Sequence, residues 1–126
     1  MSLSMDGSDP STWDPALDAV VAAPESHKVI YEDEVVRVLS VSLPVGVTEK
    51  PHHHRFPAVF VVDRFVKVRD FNGVTNAEMP LPIPKKLEFP LMLKFLPQPL
   101  HYVQNVDTKP LHGTRIEFKK GFPTGM

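Results

Sequence analysis

The chain of 126 residues contains no cysteine. Disulfide cross-links, thiolate zinc sites, iron–sulfur clusters and cysteine nucleophiles are therefore excluded together. The chain also has no apolar run near the roughly 18 residues that a membrane-spanning helix needs, and no basic-then-apolar segment at its start. We therefore expect a cytoplasmic protein with no membrane partner.

Positive charge is scarce at the N-terminus and scattered elsewhere. Residues 1–18 contain four aspartates and no Lys or Arg, so a segment of charge −4 precedes a body of charge +3. Nucleic-acid-binding domains normally carry a basic stripe, which this pattern does not provide. We therefore expect no nucleic-acid partner.

Proline is abundant, with 14 residues, and twice as frequent as the usual ~5%. This composition argues against a helical protein, and the length fits one domain. We expect a disordered tail over 1–12 and a single domain over 13–126. Within it, 14–23 is predicted to form a short helix, capped by Asp14 and ended by Pro24.

After this helix the hydrophobic period changes to the alternation of β-strands. In 35–43, Arg37, Leu39, Val41 and Leu43 share one face, and 114–119 alternates in the same way. About eight short strands separated by turn residues predict an all-β sandwich or barrel. Six prolines between positions 80 and 99 predict that 78–90 is a loop that crosses the surface or folds over an opening.

The histidines offer the strongest chemical signal. On an extended strand His52 and His54 point to one face about 7 Å apart, close enough to share a metal ion, and His101 at the start of a late strand can supply a third imidazole. Three adjacent histidines are also compatible with a solvated strand or loop. We expect His53 to face solvent or an interface, and His27 and His112 to lie outside the site.

Other polar residues are weaker candidates. Arg37, Arg55 and Arg64 can anchor a carboxylate, but each is expected to be a solvated strand residue. Glu49, like Gln104 and Glu88, can substitute as a ligand or base. Strand parity, however, places Glu49 on the face opposite His52.

Two segments resemble known motifs. Residues 46–54, with Gly46 followed by five residues and then His52-His53-His54, resemble the first cupin motif, and 101–105 resembles the core of the second. Residues 24–39 are similar to the strands that lead into the barrel of small single-domain bacterial cupins. The resemblance implies a cupin double-stranded β-helix (jelly-roll) barrel over about 28–120, commonly a homodimer, with a metal or small-molecule ligand inside.

The first motif departs from the family in one ligand. Its glutamate would fall at position 58 or 59, where this chain has Ala58 and Val59. The remaining pattern is similar to that of cysteine dioxygenase and acetylacetone dioxygenase, which bind ferrous iron with three histidines and no carboxylate.

The resemblance implies a divalent metal (iron, nickel or zinc) held by His52, His54 and His101. It also implies a metal-dependent dioxygenase or isomerase acting on a small anionic substrate. The alternative is a non-catalytic module with a degenerate metal site that binds a small ligand or mediates dimerisation. The sequence leaves open whether the protein is an enzyme and assigns no catalytic residue.

Overall fold

A computed structural model describes residues 9–81 and 86–125. All strand pairings within these residues are antiparallel, and the strands form a five-stranded sheet and a four-stranded sheet. The prediction of an all-β protein is therefore confirmed. The strands are β1 (His27–Glu32), β2 (Val36–Leu43), β3 (His52–His54), β4 (Ala58–Arg64), β5 (Val68–Asn72), β6 (Glu78–Met79), β7 (Leu91–Phe95), β8 (Gln98–Asn105) and β9 (Leu111–Phe118).

The order of strands follows the chain only in part. The larger sheet runs β1-β2-β9-β4-β7 and the smaller one β3-β8-β5-β6. The last strand, β9, therefore lies between β2 and β4, and β8 joins β3 to β5. These long-range pairings bring the histidines of β3 and β8 side by side.

The inward faces of β2 and β9 combine apolar and charged residues. The alternation predicted for β2 is observed, with Arg37, Leu39, Val41 and Leu43 buried. On β9, however, the buried charged residues Arg115 and Glu117 alternate with half-buried Thr114, Ile116 and Phe118. The charged side chains can point inward because Glu117 stands opposite Arg37 in the strand register and pairs with it.

A small apolar cluster occupies the space between the sheets. It consists of Leu43, Val62, Val66, Leu91 and Leu111, with Phe60, Phe65, Val68, Leu93 and Val103 packed against it. Several of these side chains also line the internal cavity described below. The core therefore supplies the apolar wall of the candidate site.

The N-terminal segment does not form the single helix predicted over 14–23. It contains a 3-10 turn at Pro15–Leu17 and a one-turn α-helix, α1, at Ala19–Ala22. Asp18 separates the two because its extended backbone (ψ 139°) ends the first turn, while its carboxylate accepts a hydrogen bond from the second. Of the predicted disordered tail, Pro10–Thr12 forms a 3-10 turn, and residues 1–8 lie outside the described residues.

The helices are short throughout the described ranges. With four residues, α1 is far shorter than a helix that crosses a bilayer, and no other described helix is long and apolar enough to do so.

Candidate metal centre

The three histidines predicted from the sequence converge. His52 on β3 stands opposite His101 on β8 in the strand register, with ring centroids 4.8 Å apart. The His54 ring lies 4.9 Å from that of His52 and 5.2 Å from that of His101. All three side chains are buried. Their role as metal ligands remains a prediction.

A fourth imidazole joins them, which sequence reasoning placed outside the site. His27 is the first residue of β1, and its ring lies 4.6 Å from that of His52 and 5.2 Å from that of His54. One donor atom from each of these three residues lies within 4.8 Å of the other two, so the group can hold a metal ion. No sequence spacing indicated this, because His27 reaches the site through packing of the two sheets.

Hydrogen bonds fix the protonated nitrogen of two rings. The Nδ1–H of His52 donates to the Lys50 carbonyl at 2.7 Å, and the Nδ1–H of His101 donates to the Asp70 carboxylate at 2.8 Å. Because both partners only accept hydrogen bonds, Nε2 is the nitrogen that carries the lone pair in the neutral form of each ring. Both Nε2 atoms are buried and have no hydrogen-bond partner within the described part of the chain. This arrangement is typical of metal-ligating histidines, and the residues present therefore fit a metal ion.

His27 is held in the same way. Its Nδ1 lies 2.9 Å from the Ser26 hydroxyl and 3.1 Å from the Ala23 carbonyl, to which its N–H can donate, and its Nε2 lies 3.7 Å from Oε2 of Glu49. Burial lowers the pKa of His27 to about 4. The ring is therefore neutral at pH 7, the form that binds metal.

Burial also keeps the imidazoles of His52 and His54 neutral. Desolvation is the largest cause that lowers the pKa of His52 and of His54 well below the ordinary value. The positive charge of Arg115 adds to this effect at His54. A cluster of neutral imidazoles leaves the full charge of a bound divalent ion uncompensated.

Glu49 lies beside the imidazoles. The prediction that it would lie on the strand face opposite His52 is therefore wrong. Its Oε1 lies 3.9 Å from Nε2 of His52, and its carboxylate accepts hydrogen bonds from the Ser26 hydroxyl and the Val103 backbone N–H. Parity fails because β3 begins only at His52, and the residues before it do not alternate as a strand does. Burial raises the pKa of Glu49. A carboxyl group thus stands near the histidines although Ala58 and Val59 occupy the motif position.

A cavity of about 120 Å³ opens beside this cluster. Its wall includes Pro80 and Leu81 of the predicted 78–90 loop, whose first two residues instead form β6 and whose residues 82–85 lie outside the described ranges. The wall is mainly apolar, and its members are His27, Val41, Leu43, Glu49, His54, Phe60, Phe65, Asp70, Pro80, Leu81, Leu93, Phe95, Gln98, His101, Val103, Leu111 and Arg115.

Two arginines are buried, one of which was expected to be solvated and the other of which was not considered as a candidate. Arg37, expected to be solvated, is buried, and donates from Nε to Glu117 at 2.6 Å and from Nη2 to Asp18 at 2.9 Å. Arg115, which sequence reasoning missed, lines the cavity and donates from Nε to Glu117 at 3.1 Å. The arginines face inward because Glu117 and Asp18 supply compensating charge. Arg55 is partly exposed and Arg64 is exposed, as expected.

The two remaining histidines lie away from the cluster. His53 is buried rather than solvent-facing, because the N-terminal segment covers it: its Nε2–H donates to the Asp14 carbonyl at 2.7 Å, and its ring packs against Trp13. His112 pairs with Asp63 at the surface, outside the site as expected.

Comparisons with known proteins identify the fold. No protein-family model and no curated protein matches the chain. A cupin domain from Bordetella pertussis Tohama I superposes with a TM-score of 0.58 at 18% identity, covering 74% of this chain and 91% of that one. An RmlC-like cupin protein from Desulfovibrio desulfuricans gives a TM-score of 0.45 at 20% identity, covering 84% and 95%. The superposition on the Bordetella domain shows that the protein has the cupin fold, which confirms the prediction of a small cupin barrel.

Proposed function

We propose that the protein binds one divalent transition-metal ion through His52, His54 and His101, joined by His27. Iron, nickel and zinc all suit neutral imidazole ligands. The observation that carries this proposal is the pair of buried, unpaired Nε2 atoms on His52 and His101. Leaving such atoms without a partner costs about 1–3 kcal/mol each, and a metal ion would remove that cost.

We further propose a metal-dependent dioxygenase or isomerase that acts on a small anionic molecule. The ion would supply a Lewis acid that polarises a bound oxygen atom. The chain itself contributes a cavity with a mainly apolar wall, and the Arg115 guanidinium that attracts an anion. Glu49, a buried carboxyl of raised pKa beside two imidazoles, can hold or transfer a proton when the substrate binds.

Metal analysis tests the first proposal. Protein purified without a nickel column should contain about one divalent ion per chain, measured by mass spectrometry of the digested sample. His52→Ala and His54→Ala should lose the ion. His112→Ala is the matched control, since that histidine is paired at the surface, and it should keep the ion. Metal content that is substoichiometric and unchanged by these substitutions would contradict the proposal.

Activity assays test the second proposal. Iron-loaded protein should consume oxygen with at least one member of a panel of thiols, diketones and hydroxy acids, or convert one of them to an isomer detectable by NMR. Silence across the panel with a full metal site would favour the non-catalytic ligand-binding module.

A further inference from the structure

The cavity has the size of a small organic molecule. Its volume is about 120 Å³. An engineered apolar cavity of about 150 Å³ holds benzene, which has six non-hydrogen atoms, so this cavity suits a ligand of about five or six. Side chains such as Phe60, Phe65, Leu93 and Phe95 form the wall against which its apolar part would pack.

Arg115 is the only guanidinium in the described lining of this cavity. It is 4% exposed. Its Nε donates to Oε2 of Glu117, but its Nη2 is buried and has no hydrogen-bond partner among residues 9–81 and 86–125. A buried guanidinium N–H without an acceptor is rare in folded proteins. An acceptor supplied by a ligand would satisfy it.

Glu117 cannot neutralise Arg115 alone. Its other oxygen, Oε1, accepts a hydrogen bond from Arg37 at 2.6 Å, so one carboxylate is shared by two guanidinium groups. Arg37 has a second partner in Asp18, whereas Arg115 has no second carboxylate within salt-bridge distance in the described residues. Within the described ranges, Arg115 therefore has one ion-pair partner where Arg37 has two, and its Nη2 keeps a hydrogen-bond donor that no protein acceptor meets.

We propose that the cavity binds a small carboxylate whose anionic group pairs with Arg115 and whose apolar part packs against the phenylalanine and leucine wall. This inference rests on the proposed function, because His27, His54 and His101 line the same cavity and would place the metal ion beside the bound acid. A planar guanidinium matches a carboxylate better than any other cation in proteins does.

The test compares isobutyrate with its neutral isostere isobutyramide. Affinities are measured by ligand-observed NMR in zinc-loaded protein and in metal-free protein, and the zinc content of each sample is determined. We expect isobutyrate to bind at least about tenfold more tightly than isobutyramide in both forms, the size of one charge-assisted hydrogen bond. Arg115→Gln should remove that preference. Arg69→Gln is the control, because Arg69 pairs with Glu78 at the surface and does not line the cavity, and it should keep the preference.

The outcomes separate this inference from the metal proposal. A preference for the acid that persists unchanged in Arg115→Gln, or that is absent while zinc is bound, would overturn the inference and leave metal binding intact. A protein that fails to bind zinc but prefers isobutyrate through Arg115 would support the inference and contradict the metal proposal. If Arg115→Gln does not fold, the metal-free wild type decides, since equal affinity for acid and amide there would overturn the inference.

Discussion

Two ion pairs in this protein have the same chemistry but opposite surroundings. Arg37 and Glu117 pair at 2.6 Å with side chains 7% and 0% exposed, and Arg69 and Glu78 pair at 2.7 Å with side chains 49% and 50% exposed. Replacing each glutamate by glutamine therefore compares a buried carboxylate, which Arg37 and Arg115 share, with an exposed one that has a single partner. We expect Glu117→Gln to destabilise the protein strongly and Glu78→Gln to have little effect.

The expected magnitude follows from what Glu117 compensates. Its carboxylate accepts from the Nε of Arg37 and from the Nε of Arg115, both buried. Removing one partner of a buried pair costs about 3–5 kcal/mol, because the remaining charge stays desolvated and unpaired. That loss is a large part of the roughly 5–15 kcal/mol that stabilises a typical domain. Water screens the exposed pair, so its loss changes stability little.

Urea unfolding followed by circular dichroism measures both effects. The variants are compared with the wild type in the presence of a chelator, so that metal binding does not contribute. The slopes of the transitions should stay equal, which shows that the same surface is exposed on unfolding. Equal losses of stability in Glu117→Gln and Glu78→Gln would refute the reasoning, because burial would then not determine the energy of the pair.

Three further predictions concern the candidate site. Asp70→Asn should weaken metal binding about 10- to 100-fold without abolishing it, because Asp70 orients the His101 ring; a chelator competition assay with unchanged affinity would contradict this. In metal-free protein, His27 binds a proton in the unfolded chain below its ordinary pKa of 6.5 but in the folded chain only below about 4. Its contribution to stability is therefore present above pH 6.5 and lost as the pH falls, by about 2 kcal/mol at pH 5. His27→Gln should flatten the pH dependence of urea unfolding relative to the wild type, and identical slopes would argue against a neutral buried ring. His53→Ala should keep its metal, because His53 lies away from the cluster, but should change the fluorescence of Trp13, the single tryptophan, because the two rings are in contact. A variant that loses the metal and keeps the fluorescence of the wild type would contradict this prediction.

Much of the fold could be predicted from the order of residues. The alternation in 35–43 identified which side chains of β2 share a face, since a strand exposes alternate residues to alternate faces, but Arg37 on that face was expected to be solvated and is buried. The same rule misled at Glu49, which precedes the strand, and it gave no indication that the charged face of β9 points inward. Local periodicity shows which residues share a face where the backbone is regular, but it does not show whether a charged residue on that face is buried.

The residues of the candidate site also fall into two groups, those that the sequence predicts and those that only the structure identifies. His52 and His54 were predicted from their spacing on one strand. His101 was predicted from its place at the start of a late strand and from the resemblance of 101–105 to a second motif. Each of these signals lies within a short stretch of sequence. His27, Glu49 and Arg115 join them only after the two sheets pack, through pairings between residues distant in the chain. The sequence by itself determined the strands and three imidazoles that lie close together. Only the tertiary structure decided which other charges and rings share their buried space, because that depends on contacts across the barrel rather than along the chain.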